Sequence, residues 1–498
     1  MSYRILAYGS AALTLVAAVG YHHANAQGAT DDALEKQARA IHERVIALDT
    51  HADINPRNFT TERNYTQRLP NQVNLPKMFD GGLDAAFFVV YAGQGPLTRE
   101  GYDRAYREAL EKFDAIDRLT KEIAPGKIEL ALTAADVRRI TANGKKAALI
   151  GVENGYSLGD ETTAIARVHE FHARGARYLS LAHNGHSQLA DSNSGEASGE
   201  WLHDGLSALG RRVVAELNRT GIMVDLSHPS KAANLQAIAL SKAPVIASHS
   251  GARTVCDHSR NLDDELLLAV KKNGGVVQAV ALSSYVKAPL PPSPERLAAL
   301  NRLAAEYGLP EGSLVRGGRG AGGGGMRGAG QGRNAIAQLA DETREQLMAR
   351  LSELDKQYPP PPRATVKDFV DHIDYIVKQI GIDHAGISSD FDGGGGVEGW
   401  NGAEETFNVT LELVRRGYSE EQIAKIWSGN LLRVMDEVQE VARTLQRESV
   451  QPQPPDIAKA SAARGRGSAQ LAPPQPVPRT FWLALGLIAA ALVFWLAT

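Results

Sequence analysis

The sequence contains a series of eight short apolar runs, each bounded by glycine, proline or charged residues. Such runs, rich in Val, Ile, Leu and Ala, are typical of strands that are buried on both faces of a parallel sheet. The runs are VIAL before Asp49, AAFFVVY ending at Tyr91, AALIGV before Glu153, RYLSLA before His183, IMVDLS before His228, PVIAS before His249, GGVVQAVAL ending at Leu282 and HAGISS before Asp390. Stretches with helical periodicity lie between most of the runs, over Asp103–Leu119, Thr162–Arg174, Leu206–Thr220, Asp263–Lys272 and Val366–Ile380. This alternation predicts an α/β fold, a (β/α)8 TIM-like barrel.

Ionisable residues follow six of the eight runs. In a barrel of parallel strands, functional side chains lie where the carboxyl ends of the strands meet the following loops. We therefore expect these polar residues to gather at one end of one sheet.

Composition limits the partners and the chemistry. The chain has 498 residues, which accommodates one large barrel with appendages. Its net charge of -3 favours no class of partner. Because Cys256 is the only cysteine, no intrachain disulfide can form and a zinc site built from cysteines is excluded. Any metal must be held by histidines and carboxylates.

The two ends of the sequence predict export and a membrane tether. Residues 1–26 contain Arg4, a largely apolar run and Ala24-Asn25-Ala26, the pattern of a secretory signal peptide; an uncleaved anchor is the alternative. The apolar run within 480–497 has Trp482 and Trp495 near its ends, which predicts a C-terminal transmembrane helix. A signal for a glycolipid anchor is the alternative.

The intervening segments complete the predicted organisation. The barrel is expected over 30–446, followed by a flexible linker rich in Pro and Ala over 447–479. This arrangement predicts an exported protein in the cell envelope, with its main domain outside the cytoplasm, as in a bacterial periplasm.

A glycine-rich insertion near 312–334 interrupts the barrel pattern with the run RGGRGAGGGGMRGAGQGR. No strand precedes it and no Gly-Lys-Ser/Thr follows it, so a phosphate-binding loop is disfavoured. We predict a disordered surface insertion between the seventh and eighth strands, flanked by helices near Glu295–Tyr307 and Asn334–Tyr358, with no nucleic-acid partner.

A metal site is the strongest hypothesis for the polar residues. His51 and Asp53 are two residues apart at a strand end, so both side chains point to one side and can reach one cation. Glu153 closes an apolar strand and is the natural bridge between two metal ions, while His228 and His249 supply nitrogen ligands to the second. Each residue taken alone is more simply a structural one, and only their combination favours metal. Histidine and carboxylate without thiolate favour zinc, with manganese or cobalt as alternatives.

Three further residues are candidates for the chemistry beside the metals. His183, Arg260 and Asp390 lie beside the predicted cluster. They suit a donor to a developing oxyanion, a bidentate partner for a carboxylate and an acid/base for proton transfer.

Seven motifs in order carry a resemblance to a known family. They are VIALDTHADINP, LIGVENGYSLG, RYLSLAHN, GLSALGRRVVAELNRTGIMVDLSHPS, PVIASHSGARTVCDHSRNLDDELL, HAGISSDFDGG and IWSGNLLRV. This set resembles the membrane dipeptidase family over about residues 36–440, apart from the glycine-rich insertion. The resemblance implies a barrel of the metal-dependent hydrolase type with two Zn²⁺ ions. Members cleave dipeptides, tolerate a D-residue at the C-terminal position and in some cases open carbapenems.

The resemblance also assigns roles to the residues. His51 and Asp53 look like ligands of the first zinc, Glu153 like the bridge, and His228 and His249 like ligands of the second. His183, Arg260 and Asp390 are similar to substrate-binding residues, with His183 stabilising the tetrahedral intermediate and Arg260 holding the substrate carboxylate. Asp390, His183 and Glu153 form the implied catalytic set. A hydroxide that bridges the metals would attack the peptide carbonyl, and Asp390 would pass its proton to the leaving amine. A homodimer is a further expectation.

Departures from the family pattern concern substrate preference. Asn184-Gly185 stands where mammalian members carry a cysteine, QAVALSSY replaces an Asn-Phe-Tyr type run, and Tyr156 replaces a histidine. Two rival interpretations stay open: another amidohydrolase acting on an N-acyl amino acid or a β-lactam, and an inactive, surface-tethered binding protein.

Overall fold

A computed structural model of the chain describes residues 31–315, residue 336 and residues 339–449. The chain divides into two compact units, Met1–Gln446 and Arg447–Thr498. The fold described below is that of the first unit.

Parallel strands form the centre of this unit. Within the described residues they are β1 (Leu48–Asp53), β2 (Ala85–Tyr91), β3 (Ile128–Leu130), β4 (Lys146–Glu153), β5 (Ala176–Ser180), β6 (Met223–Asp225), β7 (Ile246–Ala247), β8 (Val276–Val280) and β9 (Ala385–Ser388). Their order in the sheet is β1-β2-β4-β5-β6-β7-β8-β9, and β3 pairs with β4 outside this path. The backbone N–H of Asp53 donates to the Phe391 carbonyl at 2.8 Å, where the last strand returns to the first. The predicted eight-stranded barrel is therefore confirmed, and β3 is an additional strand.

Helices connect the strands. They cover 31–42, Leu75–Gly81, Arg99–Arg118, Ala134–Ala142, Ala164–Ala173, Ala208–Thr220, Lys231–Leu240, Asp264–Asn273, Ser283–Val286, Pro294–Glu306, Asp341–Gln357, Val366–Ile380, Phe407–Arg415, Glu420–Ala424 and Asn430–Ser449. Local capping fixes several starts: Thr365 and Asp368 form a capping box at the helix Val366–Ile380. The predicted helices are confirmed with small shifts. The first begins at Arg99 rather than Asp103, because Thr98 caps the Gly101 N–H.

The apolar core has two parts, because successive strand residues point to opposite faces. Along β2, Phe88 packs with the residues between sheet and helices. Its neighbour Phe87 packs with Leu149, Tyr178 and residues near the amino ends of other strands. Leu431 and Met435 of the last described helix join this second cluster. That helix therefore covers the end of the barrel opposite the carboxyl ends of the strands.

Several predicted segments lie outside the described residues. These are the signal peptide over 1–26, the glycine-rich run at 316–335, the anchor over 480–497 and the linker over 447–479 beyond its first three residues, which end the last helix. The helices Pro294–Glu306 and Asp341–Gln357, on either side of the insertion, pack together through leucine side chains. In the part of the chain that the structure describes, no helix is both long and apolar enough to cross a membrane.

Candidate metal centre and active site

The eight residues predicted for the site all lie at the carboxyl ends of the barrel strands or in the loops that follow. His51 and Asp53 end β1, Glu153 ends β4, His183, His228 and His249 follow β5, β6 and β7, Arg260 lies in the loop after β7, and Asp390 follows β9. The barrel thus brings together side chains that are more than three hundred positions apart in the chain.

Glu153 lies at the centre of the cluster and is only 4% exposed. Its Oε1 is 2.9 Å from His228 Nε2, 3.4 Å from His249 Nε2 and 3.6 Å from His183 Nε2. Its Oε2 faces the other way, 3.6 Å from His51 Nε2. Although burial raises the pKa of Glu153, the surrounding histidines outweigh burial and hold it well below its ordinary value. The carboxylate is therefore ionised, with one oxygen directed to each half of the cluster.

The first half of the cluster is built around His51. Its Nε2 is 3.7 Å from Asp53 Oδ2 and 3.8 Å from Asp390 Oδ1, and it is buried with no hydrogen-bond partner among the residues that the structure describes. Burial lowers the pKa of His51, but Glu153 and Asp53 outweigh burial and hold it well above its ordinary value. These carboxylates thus favour a cation beside this nitrogen.

The second half contains His228 and His249. Their Nε2 atoms are 3.0 Å apart, and burial holds the pKa of both rings well below the ordinary value. Neutral imidazole nitrogens that converge on a carboxylate are chemically suited to bind a metal ion. Among the described residues, three groups have ligand atoms within 4.8 Å of one another: His51, His249 and Asp390; Glu153, His228 and His249; and His51, Asp53 and Glu153. The residues therefore fit metal ions.

The backbone around the cluster is strained at two functional positions. His228 has φ 82° and Asp390 has φ 56°, a left-handed region that such residues seldom adopt. Position 393, close to Asp390, is occupied by glycine. A Cβ there would lie 2.2 Å from Asp53 Oδ2 and 2.6 Å from Asp390 Oδ1. A side chain at position 393 would separate these two carboxylates.

Asp390 differs from the other carboxylates in its acidity. Burial, reinforced by the charges of Asp53 and Glu153, raises the pKa of Asp390 to about 8, although His51 and Arg260 oppose the increase. A carboxyl group with so high a pKa is a stronger base than an exposed one and suits proton transfer near neutral pH.

Arg260 brings a buried positive charge to the edge of the cluster. It is 3% exposed, and its Nη2 donates to the His249 carbonyl at 3.2 Å. Its Nε has no hydrogen-bond partner, and within the described residues no carboxylate lies at ion-pair distance from it. A buried guanidinium without a counter-ion favours binding of an anion.

The ring of His183 packs against the rings of His228 and Tyr91. Its ring centroid is 4.1 Å from that of His228 and 4.7 Å from that of Tyr91. Burial lowers the pKa of His183, so the ring is neutral and able to donate one N–H.

Sequence reasoning missed a layer of polar residues behind the cluster. Asp225 accepts hydrogen bonds from the N–H groups of Ser248 at 2.8 Å and Ser227 at 3.0 Å. Asp49 similarly accepts from the N–H groups of Ser389 at 2.8 Å and His51 at 3.2 Å. A signal was present, since both acids lie within or beside an apolar run, where a carboxylate needs a specific partner.

Comparison with known sequences gives matches over most of the chain. A profile of the family described as Membrane dipeptidase (Peptidase family M19) matches residues 35–449. Dipeptidase tcpJ of Claviceps purpurea is 30% identical over 382 residues, covering 76% of this chain and 72% of that protein. Dipeptidase 3 of Mus musculus is 31% identical over 425 residues, covering 83% of this chain and 68% of that protein.

Solved structures agree with these matches. The probable dipeptidase PvdM from Pseudomonas aeruginosa is 33% identical with a TM-score of 0.66, covering 82% of this chain and 100% of that one. A metallo peptidase from Rhodobacter sphaeroides liganded with a phosphinate mimic of the dipeptide L-Ala-D-Ala is 21% identical with a TM-score of 0.56, covering 79% of this chain and 99% of that one, and shares the fold. The chain therefore belongs to the membrane dipeptidase family, and it is a metal-using peptide hydrolase.

Proposed function

We propose that the protein is a zinc-dependent dipeptidase that cleaves the peptide bond of dipeptides, including those with a D-residue at the C-terminal position. The observation that carries the proposal is the position of Glu153, between His51 on one side and His228 with His249 on the other. Beside this cluster lies Arg260, a buried cation without a carboxylate partner among the described residues.

Two ions would be held by the two halves of the cluster. His51 and Asp53 would bind the first, His228 and His249 the second, and Glu153 would bind one with each carboxylate oxygen. Bound zinc would supply Lewis-acid activation of water and polarisation of the peptide carbonyl.

The residues of the chain then perform the remaining steps. Asp390 accepts the proton of the attacking water at its carboxylate and passes it to the leaving amine. Burial and the neighbouring carboxylates of Asp53 and Glu153 raise its pKa, the direction that favours acceptance of a proton. His183 donates its N–H to the oxyanion that develops on the carbonyl.

Arg260 would determine the length of the substrate. Its guanidinium binds the free carboxylate of the C-terminal residue, and this fixes the peptide bond beside the metal cluster. A longer peptide would place a neutral amide where the carboxylate belongs, so the site selects substrates of about two residues.

A substrate panel after chelation tests the proposal. Purified protein is stripped of metal, reloaded with zinc and assayed on L-L, L-D and D-L dipeptides, a tripeptide, an N-acyl amino acid and a carbapenem. The Rhodobacter sphaeroides metallo peptidase is liganded with a phosphinate mimic of L-Ala-D-Ala, so the panel includes L-Ala-D-Ala. We expect cleavage that depends on zinc and is confined to dipeptides. Zinc binding without cleavage of any dipeptide would contradict the proposal and favour another amidohydrolase activity or an inactive binding protein.

We also propose that the enzyme works in the cell envelope, outside the cytoplasm, as the signal-like residues 1–26 and the apolar segment 480–497 indicate. Cell fractionation followed by protease treatment of intact spheroplasts tests this location. Enzyme found in the membrane fraction but resistant to external protease would contradict it. Dimerisation stays a prediction.

A further inference from the structure

A tyrosine hydroxyl fixes the orientation of His51. The Nδ1 atom of His51 is 2.9 Å from the hydroxyl of Tyr178, and this hydroxyl donates to the Thr50 carbonyl at 3.1 Å. Because the single proton of the hydroxyl goes to Thr50, its oxygen accepts from Nδ1–H of the imidazole. The Nε2 atom, which faces Glu153 and Asp53, is thereby the nitrogen available to a metal.

A serine and a carboxylate fix the orientation of His249 in a different way. The Nδ1 atom of His249 is 2.8 Å from Ser248 Oγ, which donates to Asp225 Oδ2 at 2.7 Å. The other oxygen of Asp225 accepts two backbone N–H groups, at 2.8 and 3.0 Å. With the serine proton committed to Asp225, Oγ accepts from Nδ1–H of His249, and Nε2 faces Glu153.

These two hydrogen-bond relays use different side chains, although Thr50 contacts both through its carbonyl, 3.1 Å from the Tyr178 hydroxyl, and its Oγ1, 2.7 Å from the Ser248 carbonyl. Tyr178 lies on β5, whereas Asp225 ends β6 and Ser248 follows β7. By contrast, the Nδ1 atom of His228 is buried with no hydrogen-bond partner in the described part of the chain. In the second half of the cluster, Nδ1 of His249 is therefore held by a hydrogen bond to Ser248, whereas Nδ1 of His228 is not held in this way.

The packing also reserves space for the tyrosine. A Cβ at Gly151 would lie 2.0 Å from the Tyr178 ring, so glycine on β4 leaves the volume that this ring fills. The ring packs against Phe87 at 5.1 Å and stacks on His51 at 6.4 Å between centroids. Tyr178 is thus held on both sides with its hydroxyl directed at the histidine.

We propose that Tyr178 and the Ser248–Asp225 pair are positioning residues that act on two different metal positions. Tyr178 orients His51 for the first position, and Ser248 with Asp225 orients His249 for the second. Both fix the tautomer and the ring direction of a ligand, which is how hydrogen-bond partners of ligands govern metal affinity. This inference rests on the proposed two-metal enzyme and adds which residue supports which ion.

The test measures zinc affinity of the full-length protein by competition with a chromophoric chelator. The variants are Tyr178→Phe, Ser248→Ala and the double variant. We expect each single variant to lose affinity at one of two positions, by about 10- to 100-fold, and the double variant to lose it at both. Anomalous zinc scattering in crystals then identifies the emptied position: the one beside His51 in Tyr178→Phe and the one beside His249 in Ser248→Ala.

Matched controls are present in the same barrel. Ser388 on β9 is buried and its hydroxyl has no hydrogen-bond partner in the described ranges, so Ser388→Ala removes a similar group that bonds none of the proposed ligands there. Tyr106 donates its hydroxyl to Glu170 on another helix, so Tyr106→Phe is the matched tyrosine control. Both should bind two zinc ions with wild-type affinity. Ser248→Thr keeps a hydroxyl and should restore most of the affinity lost in Ser248→Ala, which separates loss of the relay from misfolding.

Two results would overturn the inference. One is wild-type zinc affinity at both positions in Tyr178→Phe and Ser248→Ala; the other is loss of the same ion in both variants. These readouts need no substrate. If zinc binds as described but no dipeptide is cleaved, the positioning roles stand and the proposed function fails.

Discussion

At the scale of single residues, Arg260 is the proposed determinant of what the site accepts. Its guanidinium is buried beside His249 and finds no carboxylate partner within the described residues. Such a charge is stabilised when a substrate carboxylate joins it.

The substitution Arg260→Ala should therefore weaken substrate binding. Loss of a buried charge pair costs about 2 kcal/mol or more, so we expect kcat/KM for dipeptides to fall by roughly 30-fold or more, mainly through KM. Steady-state kinetics with dipeptides and with the matching dipeptide amides provides the measurement. Because the amides lack the carboxylate, the wild-type protein and the Arg260→Ala variant should cleave them at similar rates. A fall confined to kcat would assign Arg260 to the chemical step instead.

Asp390 should show the opposite kinetic pattern. Asp390→Asn keeps the size of the side chain but removes its ability to accept a proton, so we expect kcat to fall by roughly 100-fold or more with little change in KM. Zinc content is measured alongside, because Asp390 also lies 3.8 Å from His51 Nε2. A variant that keeps both its zinc and its kcat would exclude Asp390 as the proton acceptor.

Sequence alone locates the residues that converge at the candidate site better than those behind them. His183 and His249 are recognisable because each follows directly after an apolar run, and the end of a strand is where a barrel places its chemistry. Tyr178 and Ser248 carry no such mark, because Tyr178 reads as an ordinary strand residue and Ser248 as an ordinary small one. Their importance comes from partners on other strands, which sequence spacing does not show.

At the scale of elements, the helix Val366–Ile380 supports the loop that carries Arg260. His372 on this helix accepts the Ala252 N–H at 3.0 Å with Nδ1 and lies 2.8 Å from the Val286 carbonyl through Nε2. The neutral imidazole makes both hydrogen bonds, since it accepts at Nδ1 and donates at Nε2. Burial lowers the pKa of His372 below its ordinary value of 6.5, against the opposing effects of Val286, Asp371 and Asp368.

This histidine should contribute to acid sensitivity. Because the folded pKa is depressed, the unfolded chain binds more protons below pH 6.5, so stability is full above that pH and declines as the pH falls. In His372→Gln, whose amide can accept and donate without titrating, we expect a smaller loss of stability on acidification. Urea unfolding midpoints at pH 8 and pH 5.5, compared between the two proteins, provide the measurement. Equal declines in both would show that His372 does not contribute.

The elements themselves were predictable where their patterns are long and periodic. The helix Val366–Ile380 has the bounds that the sequence predicts, since its apolar residues recur on one face between a capping Thr365 and Gly381. The helix Lys231–Leu240 was not predicted, because its sequence KAANLQAIAL spreads apolar residues around the axis. Strand β3, only three residues long, is too short for its periodicity to be recognised.

At the scale of the whole molecule, the candidate site residues come together because the barrel closes. Thr50 Oγ1 on β1 lies within hydrogen-bond distance of two carbonyl oxygens and shares its one proton between them, that of Ser248 at 2.7 Å and that of Ile387 of β9 at 3.0 Å. Hydrogen bonds across the interior of the barrel thus connect the first strand to two late segments of the chain. The candidate metal ligands come together only when the complete barrel has formed, so we expect metal binding to be linked to folding.

Removal of metal should therefore lower the stability of the barrel as well as abolish activity. A ligand that binds only the folded state stabilises it by about 4 kcal/mol at a thousand times its dissociation constant. Without bound cations, the carboxylates of Asp53, Glu153 and Asp390 also remain close together in a buried site. We expect chelation to lower the thermal unfolding midpoint and stop dipeptide cleavage, and added zinc to restore both, as measured by calorimetry and activity assay on one sample. Chelator already saturated with zinc is the control and should change neither quantity. If chelation abolished cleavage while the midpoint stayed constant, metal binding would be confined to chemistry and would contribute nothing to the fold.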